Sequence, residues 1–84
     1  MDQYVMGDSG PAVIRIQKKL KELSLYGKTI DGEFGQFTWE AVVEYQKAKD
    51  LDVDGVVGPQ TWGSLFDGEP ITPREDLPDE GSPW

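Results

Sequence analysis

The chain has 84 residues, a formal net charge of −8, and neither cysteine nor histidine. A chain this short forms one domain at most, and at this size it buries only about 60% of the surface its unfolded form exposes. The composition removes disulfides, structural zinc, Cys and Ser-His nucleophiles and imidazole acid–base chemistry, so catalysis is left to carboxylates and no metal or cofactor is expected.

Residues 1–6 are set apart as an N-terminal extension, and they lack the basic-then-apolar pattern of a secretory signal. No apolar run approaches the roughly 18 residues of a membrane span. From Pro11 to about Leu25, the residues Val13, Ile16, Leu20 and Leu23 recur at the spacing of one helical face. Ser9 or Gly10 caps this helix, Pro11 occupies its first turn, Lys18, Lys19 and Lys21 suit its C-terminal dipole, and Gly27 supplies a stop. A second helix is predicted from Gln36 to Lys49 with Ala41, Val42, Tyr45 and Ala48 turned inward. A short third begins at Pro59 after Gly58 and buries Trp62, Leu65 and Phe66.

Between these helices one phrase is written twice. DGEFGQFTWEAV, residues 31–42, and DGVVGPQTWGSL, residues 54–65, share Asp, Gly, Gly, Thr and Trp at an offset of 23. The identities suggest a duplicated unit in which Asp31, Gly32 and Gly35, then Asp54, Gly55 and Gly58, build a turn that launches a helix. Asp supplies a side-chain acceptor for its own backbone, and Gly supplies a positive φ. Ile30 and Val53, each just before an Asp-Gly, are expected to anchor the turns in the core, and short extended pairing between the two turns is an open possibility. The amides of Gln17 and Gln46 are expected to satisfy loop backbone groups, because buried polar atoms need partners.

Residues 67–84 carry six acidic groups against Arg74, with Pro70, Pro73, Pro78 and Pro83 among few apolar residues. Such a segment cannot bury enough surface to offset its ordering entropy and is read as a disordered tail or linker. The body of the chain is also net negative, which opposes binding to a phosphate backbone, so nucleic acid is not an expected partner.

Taken in order, Gly7, Asp8, Ser9 and Gly10, then Val13, Ile16, Gln17 and Leu20, then the first turn with Thr38, Ala41, Val42, Tyr45 and Gln46, then the second turn with Thr61, Trp62 and Leu65 resemble the peptidoglycan-binding domain family. The resemblance covers residues 7–66. Ser24 departs from it where such domains often carry Gly, and Tyr45 replaces the commoner Phe. The family implies an all-α, compact three-helix domain that is not itself an enzyme and that anchors an associated cell-wall hydrolase, in cis or in trans, to peptidoglycan or muropeptide. The implied setting is extracytoplasmic, at the cell wall, in a bacterial or phage-encoded protein. An alternative is a protein-protein interaction module that reuses this scaffold.

Two other chemistries are weaker. Asp50, Asp52, Asp54 and Gly55 match the first half of a calcium loop, but Thr61 stands where a bidentate Glu is needed and Pro59 interrupts the loop. Glycoside hydrolysis needs two carboxyl groups flanking one bond, whereas Asp31 and Asp54 are engaged in turns and Glu33, Glu40 and Glu44 fall on solvent faces. For a wall fragment, aromatic side chains suit sugar and apolar stem surfaces. Phe37 and Trp39 occupy positions the scaffold does not constrain, and Phe34 and Tyr26 are placed in the same groove. Tyr45 and Trp62 are assigned to the core.

Overall fold

In a computed structural model, which describes residues 3–69 and 71, three helices run in the order α1 (Pro11–Glu22), α2 (Gln36–Ala48) and α3 (Pro59–Leu65). Among the described residues there is no named strand, only two isolated antiparallel bridges. Val13, Ile16 and Leu20 from α1, Ala41, Val42 and Tyr45 from α2, and Trp62 and Leu65 from α3 form one core, completed from the connecting segments by Tyr4, Tyr26, Phe34 and Val57.

The turns pair not with each other but with the segment ahead of α1. Tyr4 and Val57 exchange backbone bonds of 3.0 and 2.9 Å, while Gly10 N–H donates to Gly32 O and Phe34 N–H to Asp8 O. Tyr4, from the stretch set apart as an extension, is therefore only 1% exposed and stacks near Trp62 at 5.8 Å between centroids. At the other end, Glu69 and Ile71 pack back on the domain. The remainder of the predicted tail, Pro70 and residues 72–84, lies outside the described residues.

Two buried glutamines hold the turns. Gln17 Oε1 accepts from Gly32 N–H, and its Nε2 donates toward Asp31 Oδ1, Glu33 O and Thr38 Oγ1, each at 3.0 Å. Gln46 repeats the scheme one turn later: Oε1 accepts from Asp54 and Gly55 N–H, and Nε2 donates to Asp54 Oδ1, Val56 O and Thr61 Oγ1. Each amide thus ties the preceding helix, the Asp-Gly turn and the next helix's first turn at one point. In each turn the Asp carboxylate also accepts from the N–H two residues on, Glu33 or Val56, at 2.9 Å.

Several details differ from the sequence expectations. Helix α1 stops at Glu22 rather than near Leu25, and Gly27 is not its stop. Instead Ser24 takes φ 65, its N–H bonds Lys21 O, and Leu25 N–H closes on Leu20 O. This is the Schellman closure, which needs a left-handed residue just beyond the helix. Asp50 (φ 59) and Asp67 (φ 57) end α2 and α3 in the same way. Leu23, beyond the early end of α1, and Ala48, the last residue of α2, are exposed rather than on the apolar faces assigned to them. Val53 is 50% exposed as well, and Val57 anchors the second turn in its place.

The two glycines of each turn are unequal. Gly32 and Gly55 sit at φ 76 and 73, and a Cβ on them would press on Ile14 and into the Trp39 indole, respectively. Gly35 and Gly58 have φ −100 and −91 with open space around a Cβ. Gly55→Ala should therefore lower stability by about 1–3 kcal/mol, whereas Gly58→Ser should leave it within a few tenths of a kcal/mol of the original or raise it by adding a cap. Gln46→Leu strands several turn groups together and should cost about 3 kcal/mol. Denaturant midpoints of the three variants check the order.

Candidate functional site

The loop after α1 and the outer face of α2 enclose an open cleft of about 230 Å³. Its helix wall is a stripe spaced three and four residues apart: Phe37, then Glu40 and Ala41, then Glu44. Leu25, Tyr26, Gly27 and Lys28 form the loop wall. The loop crosses here because the Ser24 closure turns the chain out of α1, and because Tyr26 is pinned: its ring is buried, its hydroxyl donates to Thr29 O at 2.6 Å, and Gln17 Nε2 stands 3.3 Å away. Phe37 is 55% exposed, and Lys28 Nζ rests 4.6 Å from its ring centroid.

Of the four aromatic residues predicted to bind, two meet in this cleft. Tyr26 supplies part of a wall and Phe37 its exposed flank. Phe34 is 1% exposed and belongs to the core, so it offers a ligand almost no surface. Trp39 lies elsewhere. Thr38 points inward to Gln17, and residues two apart on a helix are separated by about 200°, so Phe37 and Trp39 emerge on different sides. The Trp39 indole covers Gly55, with Cδ1 2.6 Å from where a Cβ would stand. Its position is one the second turn does use.

A second cleft, of about 390 Å³, lies between Met6–Ser9 and Glu33–Gly35. It is larger, but its charged side chains are the carboxylates of Asp8 and Glu33, and it holds no cation and no exposed aromatic ring. The backbone N–H groups of Gly7 and Phe34 at its edge are already used, by Phe34 O and Asp8 O. Lys28 and Phe37 make the smaller cleft the stronger candidate. Leu25, Lys28, Glu40 and Glu44 were not singled out as ligand residues by sequence reasoning. The Phe37, Glu40/Ala41, Glu44 spacing was visible, but nothing local showed that a loop would cross that face.

The carboxylates that suggested a calcium loop have other work. Asp54 Oδ1 takes bonds from Gln46 and Val56, and Asp50 is the left-handed residue that ends α2. Among the described residues no group of three or more His, Cys, Asp or Glu is placed to hold a metal, and no helix is long and apolar enough to cross a membrane. Asp31 is held below the ordinary carboxyl range, first by the bond from Glu33 N–H and then by the Gln17 amide. Glu69 is lowered by Arg15, whose guanidinium bonds both its oxygens at 3.0 and 3.2 Å while lying over the Trp62 and Phe66 rings.

With this fold and cleft in view, comparison with known proteins decides the family. A family model described as a putative peptidoglycan binding domain matches residues 9–65. The chain belongs to that peptidoglycan-binding family. The spore cortex-lytic enzyme of Halalkalibacterium halodurans is 42% identical over 65 residues, covering 76% of this chain and 20% of the enzyme. The N-acetylmuramoyl-L-alanine amidase CwlM of Mycobacterium tuberculosis is 39% identical over 57 residues, covering 68% and 14%. The solved SleB N-terminal domain superposes with a TM-score of 0.76 at 35% identity, covering 77% of this chain and 89% of that one. The chain spans a fifth or less of the length of these two curated relatives, and residues 9–65 are a peptidoglycan-binding module.

The Asp31 carboxyl makes the stability of this peptidoglycan-binding domain depend on acid. Its folded pKa lies below that of an ordinary aspartate, so the unfolded chain binds the proton more readily. The contribution is then complete above the unfolded pKa and lost as pH falls through the folded one. The melting temperature should be flat from neutral to about pH 5 and fall below about pH 4. Asp31→Asn keeps the Oδ1 acceptor but cannot titrate, so its acid limb, followed by circular dichroism, should be shallower.

Proposed function

We propose that this domain holds an associated cell-wall hydrolase, in cis or in trans, on peptidoglycan, and that muropeptide contacts are made at the cleft beside Phe37. The observation that carries the site is the half-exposed Phe37 ring, flanked by Lys28 above a floor that includes Tyr26 and Ala41. A flat aromatic face suits a sugar ring or an apolar stem residue, and the neighbouring cation suits a carboxylate. Tethering raises the effective concentration of a partner enzyme near the wall, so weak affinity at this cleft is enough to matter. The proposed setting is extracytoplasmic, at the wall. The net charge of −8 supports leaving nucleic acid out of the partner set.

Because Trp39 also packs on the second turn, Phe37 alone is the informative substitution. Phe37→Ala should reduce retention on purified sacculi severalfold, about 1 kcal/mol, with little change in melting temperature. Wild-type protein that fails to bind sacculi from several bacterial classes while capturing a protein partner would move the function to protein recognition.

A further inference from the structure

Resting on the wall-binding reading, we infer that the cleft beside Phe37 recognises the zwitterionic part of a short peptide, its carboxylate at Lys28 and its ammonium at Glu40 and Glu44. Three observations lead there. Lys28 Nζ rests over the Phe37 ring at 4.6 Å, and among the described residues it has no carboxylate partner. A cation held on an aromatic face keeps its remaining N–H donors free for an anion. On the helix wall, Glu40 and Glu44 stand one helical turn apart and line the same cleft. A like-charge pair at this spacing weakens a helix.

The neighbours of this pair leave its charge mostly uncompensated. Glu40 accepts from the neutral amide of Gln36 at 3.2 Å, and Glu44 meets Lys47 at 3.8 Å with both side chains more than half exposed. An ammonium entering from the cleft would relieve the repulsion. Beside the charged groups the cleft is lined by the half-buried Leu25, over the buried Tyr26 and Ala41. A neutral sugar would satisfy Phe37 but leave both charge sets unanswered, and a simple anion would be repelled by the two glutamates. A peptide carrying one ammonium and one carboxylate answers both charge sets and the exposed Phe37 ring.

The test titrates the protein by NMR with N-acetyl-alanyl-lysine, which has one ammonium and one carboxylate, with its Nε-acetyl form, and with its carboxamide. The zwitterion should bind in the millimolar range and shift resonances around the cleft, and removal of either charge should weaken binding about two- to fivefold, as exposed ion pairs do. Lys28→Met should abolish the preference for the carboxylate, and Glu40→Gln with Glu44→Gln the preference for the ammonium. All three residues are exposed, so these variants should keep their melting temperatures. Equal binding of the three peptides, or no binding of any, overturns the inference. In that case, undiminished retention on sacculi with acetylated amines leaves the wall-binding function standing and moves recognition to sugar, whereas failure on all sacculi removes the function itself.

Discussion

Everything in this small domain hangs on two buried side-chain amides. A primary amide carries one acceptor and two donors, which is what an Asp-Gly turn needs from the core: something to take its inward N–H groups and something to meet its carbonyls. Gln17 and Gln46 are both fully buried and meet both needs. Without cysteine or histidine, the chain has no disulfide or zinc to close its loops. The amides do that work, and because they are buried their bonds do not compete with water.

The same amides orient the candidate site. Gln17 reaches Thr38 in the first turn of α2 and stands beside the Tyr26 hydroxyl in the loop that forms the opposite wall. With Thr38 turned inward, Phe37 is pushed out on one side and Trp39 on the other. The cleft is therefore set by a buried polar network a few ångströms below it, and its two walls cannot drift apart without breaking bonds in the core. The ends of the domain are tied as well. Tyr4 pairs with the second turn, and Arg15 fastens Glu69 over the aromatic cluster of Trp62 and Phe66.

The three helices, their starts at Pro11, Gln36 and Pro59, and the turn role of Asp31, Gly32, Asp54 and Gly55 were legible because each is a local preference: apolar spacing, a proline that presets φ, an acceptor beside a glycine. The helix ends were not. Ser24, Asp50 and Asp67 adopt left-handed geometry without being glycine, and their closures depend on bonds back to the helix that composition does not announce. Gly27, the obvious local stop, was passed over for a serine three residues earlier.

The aromatic residues predicted to bind divide along the same line. That Phe37 and Trp39 stand apart from the apolar stripe of α2 follows from helical periodicity, a property of consecutive residues, and so the sequence alone determined which side chains were left over. Where each of them landed was decided by segments far away in the chain. The loop through Tyr26 and Lys28 crosses the Phe37 side, while Gly55 slides under Trp39 because only a residue without Cβ leaves room for the indole. Phe34, equally aromatic and equally near, was drawn into the core with Tyr4 and Val57. Local chemistry sets the direction of a side chain relative to its own helix, but exposure is a property of what packs against it, and that is settled only when distant segments compete to bury the same apolar surface.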